Sequence, residues 1–297
     1  MEAYDVINLV KLDPFAIRYV KQDEAICCIA VERVGSLLIY VNDQYKTENV
    51  CKIAVKNDGM SLQHVPFISQ TAELCMMAVN ENPNALQWVD PNLQNEDICE
   101  HAVMFSGYML EFVRPDLKTD RIVRTALAQN PYSLEFVDDQ TEWISREAVR
   151  YDGFVLQFVR VQTERICLEA VKSSGLALRY VWDQTFEIVD RAIESNGYAI
   201  VYAKDQFITP ELCNRVLREN INMIGVIRSR ANGMQLLEDV IRMNSNEIDC
   251  DSDLCAICLD TLNRCCMLRC GHHFHLGCIV EQLVDDHTCS ICKKRIL

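Results

Sequence analysis

The sequence predicts an all-α solenoid of short helical hairpins, followed by a small module built around zinc. Two observations predict this arrangement. Residues 1–245 repeat one pattern of apolar and helix-capping residues every 22 to 24 positions, and the last 43 residues hold eight cysteines and histidines at metal-ligand spacing. A fixed repeat of this length is typical of stacked units that share one continuous core.

The repeat is anchored by a small apolar residue at a fixed position. An alanine recurs first every 24 and then every 22 residues, at Ala30, Ala54, Ala78, Ala102, Ala126, Ala148, Ala170 and Ala192. Leu9 and Val216 extend the series to ten copies. Apolar residues stand four positions before the anchor, at the anchor and one position after it, as Ile98, Ala102 and Val103 do. This spacing indicates one face of a helix.

Two columns of capping residues divide each copy into two helices. Seven positions before the anchor stands a side chain that can accept a hydrogen bond from the free amides of a helix start, at Asp23, Thr47, Thr71, Asn95, Thr119, Thr141, Thr163, Thr185 and Thr209. Four positions after the anchor stands Asp, Asn or Ser, and Pro or Gly follows it in most copies. This pair predicts the start of a second helix. The second helix carries an apolar residue and then an aromatic residue, such as Leu110 and Phe112. Each copy is therefore a predicted hairpin of helices of about ten and about seven residues, too short to be stable alone. We expect the aromatic column to lie in the core.

The end of the repeats is marked by a half copy and a change of composition. Residues 233–243 repeat the first-helix pattern without a second helix, which indicates a cap, and residues 244–253 are polar and acidic. The predicted domains are a repeat region of about ten hairpins with its cap at 1–245, a linker at 246–253 and a zinc module at 254–297. The repeat columns resemble a short helical repeat of unknown function found in large DNA viruses and some intracellular bacteria. That resemblance implies no activity.

The zinc module carries its potential ligands in four close pairs: Cys255 and Cys258, Cys270 and His272, His275 and Cys278, Cys289 and Cys292. Zinc takes a tetrahedron of thiolate and imidazole donors, so eight ligands predict two closed structural Zn²⁺ sites with no open position for a catalytic water. Spacing alone leaves open whether the pairs fill the sites in sequence or interleaved. Because so short a segment buries little apolar surface, we expect it to be unfolded without zinc.

The runs CAIC, RCGHHFHLGCI and CSIC resemble a RING finger of the H2 type over about residues 250–297. The resemblance implies a small α+β cross-brace fold with interleaved sites. It implies one zinc on Cys255, Cys258, His275 and Cys278 and a second zinc on Cys270, His272, Cys289 and Cys292. His273 is an alternative ligand to His272, but the one-residue spacer after Cys270 fits the family better.

RING fingers bind a ubiquitin-conjugating enzyme and orient its ubiquitin thioester toward a substrate lysine. The resemblance therefore implies an enzyme that acts by positioning, without a catalytic nucleophile. Ile257 matches the apolar residue with which the family contacts the conjugating enzyme. Gln282 departs from the family's Trp, although Leu283 beside it offers an apolar contact. Ser290 replaces a Pro, and Lys293 replaces an Arg whose planar fork lysine lacks.

The composition of the chain limits the classes of partner that we expect it to bind. The chain has a net charge of −14, of which residues 1–249 contribute −13, so phosphate backbones are repelled and we expect no nucleic-acid partner. The same excess favours a basic protein partner. No stretch approaches the roughly 18 to 20 apolar residues of a membrane helix, and the N-terminus lacks the pattern of a signal peptide. We expect no membrane partner and a cytoplasmic location, in the host cytoplasm for a viral chain.

The sixteen cysteines are compatible with a reducing compartment. Six are predicted zinc ligands, and six more share one buried repeat column: Cys27, Cys51, Cys75, Cys99, Cys167 and Cys213. Packing as small apolar groups explains that column without disulfides. Cys250, Cys265 and Cys266 lie near the ligands and are interpreted as spare thiols in loops.

Two function classes remain. The first is an E3 ubiquitin ligase whose solenoid recruits a protein substrate while its RING recruits the conjugating enzyme. The second is a noncatalytic interaction or scaffold protein, in which zinc only holds the module together. The intact ligand set and Ile257 favour the first class, whereas the departures at Gln282, Ser290 and Lys293 favour the second. We also expect zinc removal to melt only the zinc module, because the repeat region has its own core.

Overall fold

The repeat pattern folds into short helices throughout residues 3–244. The computed structural model describes residues 3–249, 254–262 and 264–297. It is 68% helical, with one small three-stranded sheet, and it divides into two compact units, 1–148 and 149–297. Among the described residues, no helix has the length and apolar content needed to cross a membrane. The domain boundaries at 245 and 254 stay a prediction.

The predicted first helices are α-helices of ten residues each. Within the described residues they are α1 Ala3–Leu12, α2 Glu24–Arg33, α3 Glu48–Asn57, α4 Ala72–Glu81, α5 Glu96–Phe105, α6 Asp120–Gln129, α7 Glu142–Tyr151, α8 Glu164–Ser173, α9 Phe186–Ser195 and α10 Pro210–Glu219. The capping column begins them as predicted: Asn95 Oδ1 accepts from the Ile98 amide at 3.0 Å. Thr119 is an exception and makes no side-chain cap. In α5 the buried face includes Ile98, Ala102 and Val103, each 0% exposed.

The second helices are 3₁₀-helices rather than longer α-helices. They are Pro14–Arg18, Gly35–Tyr40, Gly59–His64, Pro83–Trp88, Gly107–Phe112, Pro131–Phe136, Gly153–Phe158, Gly175–Tyr180, Gly197–Tyr202 and the shorter Ile221–Met223. A 3₁₀-helix has three residues per turn, so Leu110 shares a face with Gly107 while Phe112 points about 240° away. Leu110 is 0% exposed and Phe112 36%. The expectation that the aromatic column is core is therefore wrong, since its members lie partly at the surface.

A column of glutamines, which the sequence analysis missed, joins successive connectors. Each stands eight positions before an anchor, and its Nε2 donates to the carbonyl oxygen of the residue 18 positions further on. The pairs are Gln22 with Tyr40, Gln70 with Trp88, Gln94 with Phe112, Gln162 with Tyr180 and Gln184 with Tyr202, at 2.7 to 2.9 Å. The Oε1 atom accepts from the amide two residues later, as from Arg114 to Gln94 at 2.9 Å. These bonds satisfy connector backbone groups that packing between copies removes from water.

The repeat cysteines are buried and free, as predicted. Three of their thiols also donate to the glutamine column: Cys75 to Gln70 Oε1 at 3.5 Å, Cys99 to Gln94 at 3.8 Å and Cys167 to Gln162 at 3.7 Å. Burial raises the pKa of the Cys99 thiol to about 11. The column is therefore made of protonated thiols that pack as small groups and act as weak donors.

The repeats end in two further helices and a strand. They are α11 Ile224–Arg228, α12 Gly233–Asn244 and β1 Ser245–Asp249. The α12 helix is the predicted cap. The predicted linker differs from the structure, because β1 occupies its first part and pairs with the zinc module; residues 250–253 lie outside the described residues. Cys265 and Cys266 lie in strand β2 rather than in loops, and Cys265 is disulfide-bonded. Cys250 is outside the described residues.

The zinc module contributes β2 Arg264–Leu268, β3 His273–Phe274 and α13 Leu276–Asp285. The sheet order is β1-β2-β3, and both pairings are antiparallel. The core of the module includes Phe274, Ile279 and Val280, each 0% exposed. So few buried side chains supply little hydrophobic stabilisation, which leaves the fold dependent on other constraints.

Candidate metal centre

Two matching loops present the first and last ligand pairs. In the first loop the Leu259 amide donates to the Cys255 carbonyl at 2.8 Å, and in the second the Lys293 amide donates to the Cys289 carbonyl at 2.8 Å. Leu259 (φ 64°) and Lys293 (φ 57°) adopt the left-handed conformation, which non-glycine residues rarely do. Each loop therefore curls tightly around its two thiols, as the Cys-x2-Cys spacing predicts.

The two middle pairs come from the hairpin and the helix that follows it. Cys270 and His272 lie in the turn between β2 and β3, separated by Gly271, whose φ of 87° lets the chain reverse there. His275 is the residue before α13, and Cys278 lies in the first turn of that helix. A short hairpin and a helix start thus bring these two pairs close to the loops.

The structure brings the eight side chains together as two groups of four. Cys255, Cys258, His275 and Cys278 form one group, and Cys270, His272, Cys289 and Cys292 form the other. Within each group the candidate ligand atoms all lie within 4.8 Å of one another. The groups interleave along the chain, an arrangement that spacing alone left open. His272, not His273, lies in the second group.

The donor sets and distances fit zinc. Zinc bonds of 2.3 Å to sulfur and about 2.0 Å to nitrogen at the tetrahedral angle place sulfur and nitrogen roughly 3.5 Å apart. In the first group His275 Nδ1 lies 3.2 Å from Cys258 Sγ and 4.0 Å from Cys278 Sγ. In the second, His272 Nδ1 lies 3.5 Å from both Cys270 Sγ and Cys289 Sγ. Two metal ions with soft thiolate preference, such as Zn²⁺, would bind through these atoms.

Groups around the ligands prepare the first site for a metal. His275 Nε2 lies 3.3 Å from the Thr261 carbonyl oxygen; a proton on Nε2 would leave Nδ1 free to bind metal. Burial opposes ionisation of Cys255, but the backbone N–H groups of Cys258, His275 and Ile257 lower the pKa of its thiol to about 7. Metal binding needs the thiolate, so this loop favours the binding form.

The residues expected to contact a conjugating enzyme differ in exposure. Ile257 is half-buried, and Lys293 is exposed. Leu283 is 1% exposed, because α13 turns it inward with Ile279 and Val280. The structure therefore places Leu283 in the core of the zinc module rather than on its surface. Ile291, which the sequence analysis overlooked, is 51% exposed and has in the last loop the place that Ile257 has in the first.

Two departures from the RING pattern contact each other. Ser290 Oγ donates to Gln282 Oε1, and Gln282 Nε2 donates to the Thr288 carbonyl at 2.9 Å. Lys293 Nζ forms an ion pair with Asp286 at 3.3 Å. The polar side chains thus replace a Trp and a Pro with a hydrogen-bonded link between α13 and the last loop. Sequence spacing gave no sign of this link, since Gln282 and Ser290 were judged separately.

Part of the repeat region matches a known domain. A domain of unknown function, DUF4116, matches residues 47–94, 72–118 and 163–208. Its matched segments begin at or one residue after a predicted N-cap position, which agrees with the 22- to 24-residue period. No solved structure matches this chain.

Part of the chain is similar to RING finger proteins and E3 ubiquitin ligases. RING finger protein 150 of Danio rerio is 38% identical over 66 residues, which is 21% of this chain and 16% of that protein. E3 ubiquitin-protein ligase RNF149 of Homo sapiens is 33% identical over 66 residues, with the same coverage. E3 ubiquitin-protein ligase At1g63170 of Arabidopsis thaliana is 46% identical over 46 residues, 14% of this chain and 12% of that protein. The chain thus spans less than a fifth of these relatives, and the similarities support a RING-type protein.

Proposed function

We propose that this protein is a RING-type E3 ubiquitin ligase. The observation that carries the proposal is the grouping of eight cysteine and histidine side chains into two interleaved groups that could each hold a metal ion, in a chain that is similar over part of its length to two named E3 ligases. In this proposal both sites hold zinc, Ile257 and Ile291 offer apolar contacts to a ubiquitin-conjugating enzyme, and the exposed Lys293 offers a cation.

The proposed reaction moves ubiquitin from the conjugating enzyme to a lysine. The lysine amine attacks the thioester carbonyl, a C–N bond forms and the C–S bond breaks. The conjugating enzyme's sulfur leaves as a thiolate, and the proton that the amine loses passes through solvent to that thiolate. The two groups of cysteine and histidine ligands would hold zinc, which would fix the loops and take no part in these bonds. The zinc module contributes by holding the conjugating enzyme and its thioester in a reactive orientation.

We propose that the repeat region stacks as an α-solenoid and recruits the substrate. Its exposed aromatic side chains and its acidic charge support this role. Within the first unit Tyr108 is 48% exposed, and its ring meets that of Phe136 edge-on at 6.2 Å. Glu111 and Glu135 are exposed on the same two 3₁₀-helices. Aromatic rings beside carboxylates suit a partner that is rich in arginine or lysine.

A noncatalytic scaffold is the second candidate. The observation that favours it is the internal pairing of Gln282 with Ser290 and of Lys293 with Asp286. Lys293 bound to its own module offers less to a partner than a free cation does. In this alternative the zinc module is a folded terminus and the aromatic surface alone carries the function.

The test is ubiquitin-chain formation by the zinc-loaded full-length protein across a broad panel of conjugating enzymes. We expect activity with at least one of them, and we expect Ile257→Ala or Cys255→Ser to abolish it. Ile68→Ala is the matched control, because Ile68 is 97% exposed in the repeat region. Inactivity across the panel, with two zinc ions per chain measured by metal analysis, would decide for the scaffold.

A further inference from the structure

The repeats pass into the zinc module without a loop. The α12 helix ends at Asn244, and β1 begins at Ser245. All five β1 residues pair with β2, in a register that runs from Ser245 opposite Leu268 to Asp249 opposite Arg264. A helix that continues directly into a paired strand leaves few free backbone torsions, so the sheet fixes the zinc module to the last helix of the repeats.

The side chain of Asn244 forms hydrogen bonds across this junction. It is 5% exposed, and its amide makes four hydrogen bonds. The Oδ1 atom accepts from Arg218 of α10 at 3.0 Å and from Arg269, next to the ligand Cys270, at 3.2 Å. The Nδ2 atom donates to Asn214 Oδ1 of α10 and to the Val240 carbonyl, both at 2.8 Å. One side chain thus connects a repeat helix, the cap and the zinc module.

The chemistry of the partners fixes the orientation of this amide. A guanidinium can only donate hydrogen bonds, so Oδ1 must face Arg218 and Arg269, and Nδ2 must face the two oxygen acceptors. The full set of four bonds forms only when α10, α12 and the turn after β2 are in their observed positions. Losing one of these bonds destabilises the junction, because it leaves a buried donor or acceptor without a partner.

We propose that Asn244 is a positioning residue that holds the zinc module in one orientation relative to repeats 149–244. This inference rests on the proposed ligase function for its consequence, which is that ubiquitin is delivered to a restricted set of lysines. A rigid joint fixes which lysines meet the thioester, whereas a flexible joint samples many of them. The two arms of the test below separate the joint from the ligase activity.

The first arm measures the orientation. Spin labels are attached to unnatural amino acids at Val161, 69% exposed, and at Glu281, also exposed, so that the native cysteines stay unmodified. We expect one narrow distance distribution for the zinc-loaded full-length protein and a broadened or displaced one for Asn244→Leu. An unchanged distribution in Asn244→Leu, with unchanged helix content and zinc content, overturns the proposal.

Two further variants serve as controls for the distance measurement. Asn222→Leu makes the same substitution at an exposed position and is expected to leave the distribution unchanged. Asn244→Asp still accepts from both arginines but loses the two bonds that Nδ2 donates, so its distribution is expected to lie between those of the unmodified protein and Asn244→Leu. If Asn244→Leu fails to fold, Arg269→Met removes, from an exposed side chain, the bond that Asn244 makes to the zinc module, and its failure to broaden the distribution overturns the proposal equally.

The second arm measures transfer. Discharge of the conjugating enzyme's thioester to free lysine does not depend on the joint, so it is expected to be unchanged in Asn244→Leu. Modification of the exposed lysines Lys172 and Lys204 is expected to change in ratio. An unchanged ratio despite a broadened distance distribution overturns the proposed consequence. No discharge by the unmodified protein refutes the ligase function alone, and the distances still decide the joint.

Discussion

The repeat region and the zinc module reach stability by opposite means. Each repeat contributes a similar set of buried side chains, such as Ile98, Ala102 and Val103 of α5, all 0% exposed. The zinc module has a small core around Phe274 and gathers eight potential ligands into two groups. Stability is therefore spread over many copies in one region and, with metal bound, would be concentrated in two sites in the other. The loss of a single component should have very different effects in the two regions.

Removing zinc is the largest test of this contrast. With a chelator present, we expect β2, β3 and α13 to lose protection from hydrogen exchange, because zinc binding, about 10 to 16 kcal/mol in small zinc peptides, is their folding free energy. Helices α1 to α6 of the first unit are expected to keep theirs. Hydrogen exchange with mass spectrometry measures both regions in one sample. Loss of protection in α3 to α5 would show that the two regions are not separately stabilised.

Close backbone packing gives the next effect. A Cβ on Gly233 would overlap the carbonyl oxygens of Ile227 and Arg228, whereas a Cβ on Gly225 would meet nothing within 4 Å. We expect Gly233→Ala to lower the free energy of unfolding by about 1 to 3 kcal/mol through overpacking. Gly225→Ala, in helix α11, should be neutral or stabilise by up to about 1 kcal/mol. Urea unfolding followed by circular dichroism compares them, and equal midpoints would contradict the packing.

The glutamine column gives a similar or smaller effect. Gln94→Ala removes the bonds to the Phe112 carbonyl and the Arg114 amide, and it should cost about 1 to 2 kcal/mol because the freed backbone groups have restricted access to water. Gln87→Ala is the control, since Gln87 is exposed and bonds only to Asn84 in its own turn. If both variants unfold at the same urea concentration, the column does not stabilise the repeats.

The last effect is absent at neutral pH and grows as the pH rises: it is the ionisation of one thiol, and the response to pH has opposite signs in the two regions. Burial raises the pKa of Cys99 from 9.0 to about 11, so the folded repeat keeps a proton that the unfolded chain loses. Its contribution is fully present below pH 9 and is lost as the pH rises toward 11. Cysteine ligands must lose protons to bind zinc, so we expect the zinc module to become less stable as the pH falls.

We therefore expect Cys99→Ala to flatten the fall in unfolding free energy between pH 9 and 11. Denaturant titrations at several pH values, with Cys28→Ala as the control at a half-buried thiol, measure this slope. The pKa of Cys28 is also raised, first by burial and then by Glu24 and Glu32. We therefore expect Cys28→Ala to flatten the slope less than Cys99→Ala does. A slope that Cys99→Ala leaves unchanged would contradict the raised pKa.

Local patterns predicted the α-helices and the close pairs of ligands, because helix caps and Cys-x2-Cys loops depend on residues a few positions apart. The 3₁₀-helices were not predicted, since the choice between three and 3.6 residues per turn depends on neighbouring copies. The glutamine column was visible as Gln22, Gln70, Gln94, Gln140, Gln162 and Gln184, eight positions before their anchors. Reading every column, polar as well as apolar, would have found it.

Non-local contacts explain the remaining differences. Residues 245–249 read as an acidic linker, but β2 supplies a partner strand that no local pattern reveals. Leu283 was expected at the surface from its place beside Gln282, and the packing of α13 on Phe274 decides otherwise. Sequence patterns gave Asn244 no role, because its partners Arg218 and Arg269 are far from it in the sequence and meet it only in the folded chain.

The glutamine bonds span the same 18 positions in copies of both lengths. The two extra residues of the longer copies fall beyond the bond, where short 3₁₀-helices such as Phe67–Ser69 and Pro91–Leu93 take them up. A copy can therefore be duplicated, lost or changed in length by unequal recombination, and every remaining bond still finds its partner.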